Sequence, residues 1–481
     1  MSQTQRTVIV LAAGEGKRMK SATPKVLHPL LGRTLLGHVL QAAAAARAGH
    51  TIVVVGHKAD QVRAHLDEVA PEATPVLQAQ QNGTGHAVRI ALEAAPDAAG
   101  TVVVLNGDVP LLRPETVEAL VTAHEEAGSA GTVLAAEVDD PTGLGRVVRD
   151  AGGRLERIVE ERDAEPEVRA LREVNAGIYA FDAARLREAL SKLSTENDQG
   201  EEYLTDVFGL LTSVGHQVGV FVAPDAEETL GCNDRAELAG LGARLRDRVN
   251  TGWMRSGVTM LDPATTWIDV TVTLERDAEI EPNCRLIGTT TVAAGAVIGP
   301  DTTLADTTVG EGAAVLRTHS IGAEIGPEAT VGPFSYLRPG TKLGRKAKVG
   351  GFVETKNAEL GDGAKVPHLT YVGDATIGAK ANIGAGTIFA NYDGVNKHHT
   401  TVGEAAFVGS DTVLIAPAEI GPGAYVAAGS AVSNVPAGSL GVTRAQQRNI
   451  EGWTERKRPG TVSADAARRA ASEPAEADKE K

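Results

Sequence analysis

Apolar residues recur along the second half of the chain at intervals of six. Ile280, Leu286, Val292, Ile298 and Leu304 form one run. After a slip the series resumes at Val309, Val315 and Ile321, then at Ile325, Val331, Leu337, Leu343 and Val349. Leu360, Val366 and Val372 extend it, as do Val402, Val408, Leu414, Ile420, Val426 and Val432. Glycine often follows, as in Ile298-Gly299, Val331-Gly332 and Ile420-Gly421. Neither an α-helix, with a period of about 3.6, nor an alternating strand, with a period of about 2, calls for such a spacing. It suits a chain that coils through short strands, with one aliphatic per strand stacked inward and a small residue at each corner. The second half is therefore expected to be a parallel β-helix.

The first half follows a different pattern. Residues 7–11, 51–55, 101–105 and 132–138 are short β-rich runs, whereas 35–48 and 114–126 carry helical patterns. Strands alternating with helices predict a mostly parallel sheet covered on both faces, with ligands at the carboxyl ends of the strands. Domain boundaries are expected at 1–225 for this α/β unit, 226–255 for a linker helix and 256–452 for the β-helix. The stretch 453–481 is rich in Ala, Glu, Lys, Arg and Ser, lacks an apolar period and is expected to be disordered.

Composition narrows the picture. A chain of 481 residues exceeds one ordinary core, in keeping with two domains. Aromatics at 3% are few because the narrow interior of a β-helix favours aliphatics. A net charge of −15 argues against general nucleic-acid binding but leaves room for phosphorylated ligands held by local Lys, Arg and a metal. Cys232 and Cys284 form no CxxC pair and read as reduced thiols in a cytoplasmic protein. No run has the length of a membrane span, and no membrane contact is expected.

The first strand ends in Leu11-Ala12-Ala13-Gly14-Glu15-Gly16-Lys17-Arg18-Met19. Gly14 and Gly16 allow a tight turn whose N–H groups approach phosphates, with Arg18 and Lys25 adding positive charge. Alone, such a turn is weak evidence, with a bare structural turn as the alternative, since it lacks the spacing of the dinucleotide fingerprint and of the P-loop. Two further stretches follow in order: Gln78-Ala79-Gln80-Gln81-Asn82-Gly83-Thr84-Gly85-His86-Ala87 and Asn106-Gly107-Asp108-Val109-Pro110. Together these resemble the sugar-nucleotide pyrophosphorylases. Joined to the six-residue repeat, the likeness over about residues 7 to 455 is to the bacterial GlmU family, bifunctional N-acetylglucosamine-1-phosphate uridyltransferases and glucosamine-1-phosphate acetyltransferases.

That resemblance implies an α/β Rossmann-like nucleotidyltransferase domain followed by an all-β, left-handed parallel β-helix of hexapeptide repeats. It implies four small-molecule substrates, UTP, N-acetylglucosamine 1-phosphate, glucosamine 1-phosphate and acetyl-CoA, with Mg²⁺ as cofactor and a homotrimer as the assembly. Leu11, Ala12, Ala13 and Gly14 would line the uridine and phosphate site, with Arg18 and Lys25 on the triphosphate. Gln78, Gln81, Gly83 and Thr84 would read uracil. Gly145, Glu160 and Asn175 would hold the sugar. Asp108 would ligate Mg²⁺, a hard-oxygen role suited to a carboxylate at a strand end, with Asn233 as the second ligand. A turn-forming Asp is the alternative for Asp108 taken by itself.

In the β-helix the implied general base is His368, whose ordinary pKa suits removing a proton from an amine near neutrality. Arg338 and Lys356 would grip the sugar phosphate, with Tyr371, Asn382 and Lys397 alongside. Asn391 and Tyr392 would position the amino sugar or assist His368, and Ser410 would hydrogen-bond the thioester oxygen. Ala385, Ala428 and Arg444 match acetyl-CoA contacts. The segment 385–399 breaks the six-residue count and reads as a projecting polar loop. Its neighbours His398 and His399 read as solvated, with no third ligand at metal spacing.

Two alternatives compete. A pyrophosphorylase with a scaffold β-helix would have no use for His368, Asn391 or Lys356. A regulatory subunit without catalysis would show damage at Arg18, Lys25 or Asp108. All six are present. The sequence departs from the resemblance at Asn106, where related proteins can carry an aromatic, which alters the expected packing against the sugar.

Overall fold

The computed structural model describes residues 5–472. The N-terminal unit is a sheet in the order Val218–Val222, Gly131–Glu137, Glu173–Asp182, Thr101–Asn106, Arg6–Ala12, His50–Val55, Thr74–Leu77. All neighbours run parallel except Glu173–Asp182, which is antiparallel to both strands beside it. Side chains alternate across the sheet. Val8 and Val10 join one buried cluster and Ile9 the other, so both faces are covered and the strands read as continuous apolar runs. The helices Leu35–Ala43 and Pro114–Ala127 lie where the pattern put them, the first passing into a tighter turn at Ala44–Ala46.

The second unit is a parallel β-helix, with coils stacked so that Trp267 pairs with Arg285 and Arg285 with Thr303. Ile280, Leu286, Ile298, Val315, Leu337, Val349 and Val366 are fully buried in one continuous core. The corners are turned largely by buried threonines. Thr290, Thr387 and Thr412 each donate a hydroxyl to a backbone carbonyl three residues earlier, at 2.7–2.8 Å. Such bonds satisfy carbonyls that the turning backbone would otherwise leave unpaired.

One position departs from the repeat. Ile321 is only half-buried, and Ser320 takes the interior place between Leu304 and Leu337. The coil is shorter there, since Thr303 pairs with His319, and the strand faces shift by one residue. The Ser320 hydroxyl is satisfied inside by Thr307 at 3.0 Å.

The linker is helical over Arg235–Arg255 and not from 226. Asp234 caps it, accepting from Ala236 and Glu237 backbone N–H groups at 2.8 and 2.9 Å. Asp225 caps a separate short turn, Ala226–Thr229, which ends the helical path before Gly231. The long helix binds both units. Arg248 donates to the Leu111 carbonyl at 2.7 Å, and Asn250 donates to those of Pro263 and Thr266 at 2.9 Å.

The tail is not disordered throughout, since Trp453–Lys457 and Val462–Ser472 are helices with Ala464 buried. Alanine-rich sequence favours a helix even without a strong apolar stripe. The rest of the expected disorder, at 473–481, lies outside the described residues. Among the described residues no helix is long and apolar enough to cross a membrane.

Candidate functional site

At the carboxyl ends of the first and fourth strands in chain order, two loops cross. Gly107 donates its N–H to the Leu11 carbonyl at 2.9 Å, and a Cβ at residue 107 would sit 2.9 Å from that oxygen. Glycine therefore allows Asp108 to lie against the end of Arg6–Ala12. The Asp108 carboxylate meets the Lys25 ammonium at 2.5 Å, with only 19% and 16% of the two side chains exposed. Gly16 is left-handed at φ 65° and packs on Lys25, where a Cβ would come within 2.6 Å. The Cys232 N–H donates to the Asp108 carbonyl at 3.0 Å, which carries Asn233 to the same place from far along the chain.

These groups open on a cleft of about 670 Å³ lined by Leu11, Arg18, Thr84, Asp108, Gly145, Glu160, Asn175 and Asn233, among others. A second recess of about 320 Å³, which shares Arg18 and Asn233 with the cleft, adds Gly16, Lys25 and Gln81. Ala12 and Ala13 are buried and offer backbone only. Gln81 donates to the Ala13 carbonyl at 2.6 Å. Gln78 is buried and braces its own loop, donating to the Gly83 carbonyl at 3.0 Å. Gly83, at φ 103°, packs on the Glu202 backbone, and the Thr84 hydroxyl accepts from Leu204 N–H at 3.0 Å.

On the opposite wall, Asn175 donates to the Tyr179 hydroxyl at 2.8 Å and accepts from Gly177 N–H at 2.9 Å. Thr205 donates to Glu160 at 3.1 Å. Burial raises the Glu160 carboxyl above its ordinary pKa, with Asp206 and Asp163 adding to the effect. Thr205 lies in no glycine-bearing motif and carried no sequence signal, whereas Tyr179 follows Gly177 by two residues in the stretch that carries Asn175, and that spacing was the signal that could have found it.

The oxygen donors fit a magnesium ion. Asp108 and Asn233 offer a carboxylate and an amide carbonyl on one cleft, and few protein ligands are what Mg²⁺ takes when substrate phosphates and water complete its octahedron. Among the described residues no three His, Cys, Asp or Glu side chains cluster as a self-sufficient metal cage.

The β-helix brings its candidates, Asn382 excepted, to one face and its two edges, the face being formed by consecutive strands that include Ser335–Leu337, Glu354–Leu360, Tyr371–Ile377 and Ile388–Ala390. Backbone bonds stack two columns along its edges. On one edge Gly386 N–H donates to the His368 carbonyl, Asp411 to that of Ala385 and Gly429 to that of Ser410, which aligns His368, Ala385, Ser410 and Ala428 in successive coils. Arg444 follows Thr443, whose hydroxyl is tied to the backbone of Ala431 beside this column.

The other edge carries Arg338, then Lys356 in register with Gly373. A Cβ at Gly373 would lie 2.3 Å from the Tyr371 hydroxyl and 2.7 Å from the Asn391 amide nitrogen, so those two groups converge above it. The loop after Asn391 returns Lys397 to Lys356, whose pKa is lowered chiefly by that neighbouring ammonium. Two adjoining cations and Arg338 make this edge receptive to an anion. Arg338 is itself paired with Glu354 at 2.9 Å.

Ala385 is half-buried, but His368, Tyr392, Lys397, Ser410, Ala428 and Arg444 are all exposed. Asn382 is not brought to this face. Its strand, Asn382–Ile383, belongs to the adjoining sheet, paired with Lys365 and Phe407. His398 faces Asp393 at 2.7 Å, and His399 lies 3.0 Å from the Thr376 hydroxyl. Asp374, absent from the expected set, accepts from both Asn357 and Asn391. Its only sequence signal was a corner position beside a glycine.

The family model of the MobA-like NTP transferase domain matches residues 8–206. The chain is 56% identical over 463 residues to a protein of Streptomyces coelicolor named bifunctional protein GlmU, covering 96% of each. It is also 56% identical over 470 residues to the GlmU of Streptomyces avermitilis, covering 97% of this chain and 98% of that one. With the GlmU of Corynebacterium efficiens the identity is 53% over 471 residues, 97% of each.

Proposed function

The chain belongs to the family of bifunctional GlmU proteins, and on that premise we propose how its two constellations divide the synthesis of UDP-N-acetylglucosamine. The β-helix face acetylates glucosamine 1-phosphate, and the α/β cleft then transfers a uridylyl group to the product. The observation that supports this division is that each half gathers its own cations, Arg18 and Lys25 on the recess beside the cleft in one and Lys356 and Lys397 side by side in the other.

For acetyl transfer, Arg338, Lys356 and Lys397 hold the sugar phosphate, and Tyr371 and Asn391 orient the amino sugar. His368 takes a proton from the attacking amine. A C–N bond forms at the thioester carbon, the C–S bond breaks, and CoA leaves as the thiol. Ser410 donates to the thioester oxygen as charge grows there. Ala385, Ala428 and Arg444 bind the rest of acetyl-CoA.

For uridylyl transfer, the phosphate of N-acetylglucosamine 1-phosphate is itself the nucleophile, so no protein base is required. It attacks the α-phosphorus of UTP and pyrophosphate leaves. Gln78, Gln81, Gly83 and Thr84 present the uracil edge with its partners, and Gly145, Glu160 and Asn175 hold the sugar. Arg18 and Lys25 neutralise the phosphates and hold two repelling anions together. Magnesium, held by Asp108 and Asn233, would supply electrostatic stabilisation of the transferring phosphate. Lys25, now on Asp108, would then be released toward the triphosphate.

The acetyl site requires neighbouring chains, and a homotrimer in the cytoplasm is the proposed state. The exposure of half of its residues, His368 and Ser410 among them, and the placement of Asn382 on another face support this. So does a column of exposed apolar side chains at the His368 edge, Phe334, Phe352 and Leu369, with the two phenyl rings stacked at 5.2 Å.

The test is CoA thiol release from acetyl-CoA, with and without glucosamine 1-phosphate, on the full-length chain. Release that depends on the amino sugar is expected. None from folded, oligomeric protein would reduce the β-helix to a scaffold.

A further inference from the structure

Asp374 stands at a corner of the β-helix with left-handed backbone, φ 47°, directly after Gly373. Its two carboxylate oxygens have separate partners: Oδ1 accepts from Asn357 Nδ2 at 2.8 Å and Oδ2 from Asn391 Nδ2 at 2.6 Å. Burial pushes its pKa up, but the two amide donors together with Lys397 and Lys356 outweigh this and leave it lowered. The group is therefore an anion near neutrality, and an anion can only accept. The end of the Asn391 amide that faces it must be the nitrogen. Among the described residues the side chain of Asn391 makes this one hydrogen bond, and its Oδ1 accepts none.

We propose that Asp374 is a positioning residue for acetyl transfer: it holds the Asn391 amide so that the carbonyl, and not the nitrogen, is left for the amino sugar. The proposal rests on the acetyltransferase reading of this face.

The orientation decides the chemistry. An amine attacks through its lone pair, and a carbonyl oxygen can accept one of its N–H bonds while leaving that lone pair free. A flipped amide would instead present N–H and draw the lone pair into a hydrogen bond. Asn391 is largely buried, and Gly373 leaves no room for a side chain beneath it, so the carboxylate anchor is what selects between the two orientations.

Steady-state acetyl transfer would be measured for wild type, Asp374→Ala, Asp374→Asn, Asn391→Ala and the Asp374→Ala/Asn391→Ala double variant. Uridylyl transfer on each preparation reports the α/β half, and the mass in solution together with thermal unfolding reports the fold of the β-helix. D374A removes the anchor, and kcat is expected to fall about tenfold, with a smaller change in KM for glucosamine 1-phosphate. D374N should recover most of kcat. Its carbonyl still accepts from Asn391, and Asn357, which is exposed, turns to accept from the new amide. The double variant should be no worse than N391A alone.

The proposal is overturned if D374A keeps wild-type kcat or if the double loss is additive. It is also overturned if D374N falls as far as D374A, because the role would then be the charge beside Lys356 and Lys397. A wild-type chain inactive in acetyl transfer is a distinct result, since it removes the underlying reading and the proposal with it.

Discussion

The two halves of this chain build their sites in opposite ways. The α/β half folds its candidates into a cleft within one chain, where Asp108 and Lys25 neutralise each other out of water and Gly16, Gly83 and Gly107 let loops close tightly. The β-helix lays its candidates along an open face, where stacking fixes positions but leaves His368, Ser410, Lys397 and others exposed. The first architecture makes a site complete in one subunit. The second is a ruler that sets spacing, and in the proposed trimer its walls come from neighbouring chains. Activity in the first half should thus survive changes of assembly that the second half does not tolerate.

The largest effects should separate the halves cleanly. His368→Ala is expected to abolish acetyl transfer and leave uridylyl transfer nearly unchanged, whereas Asp108→Ala should do the reverse, both read as initial rates on one preparation. Loss of both activities in either folded variant would sink the two-site model. D108A also leaves Lys25 largely buried without its acceptor, so thermal unfolding should show a loss of about 1–3 kcal/mol.

A change to the assembly sharpens the comparison further. Phe352→Asp alters an exposed residue, so the subunit should still fold. The mass in solution should fall, acetyl transfer should drop about tenfold or more, and uridylyl transfer should persist. Retained acetyl transfer by a monomer would show that the open face is complete alone.

A smaller effect concerns pH. The Glu160 carboxyl is raised by burial, so the folded chain holds its proton more tightly than the unfolded chain. Its contribution to stability is greatest below the ordinary glutamate pKa, falls as pH rises toward the raised folded value, and is level beyond. Glu160→Gln should flatten that decline in denaturant titrations from pH 4 to 7 and weaken binding of the sugar phosphate. Smallest of all, burial pushes Cys232 up to about 11, and its thiol is fully covered. Iodoacetamide should label it only when the chain unfolds.

Much of the architecture was legible because both folds write their period into the sequence. One aliphatic per short strand marks the β-helix, and strands interleaved with helical runs mark the α/β sheet. The failures are local and share a cause. Ile321 matched the six-residue count, yet a shortened coil moved Ser320 inward. The linker pattern extended to 226, yet Asp234 caps a helix that starts later. Asp374 was invisible because its function depends on which amides lie across the corner, a matter of neighbouring coils.

By itself, then, the sequence determined the two repeat classes and the residue types available for phosphate, metal and proton chemistry, since these depend on composition and spacing along the chain. Tertiary structure alone decided which of those residues meet. Asn233 reaches Asp108 through one backbone hydrogen bond from Cys232. Asn382 turns to a different face from Arg338, although the same repeat carries both. The physical reason is that contacts across coils and loops are set by register and closure, which no spacing along a single strand encodes.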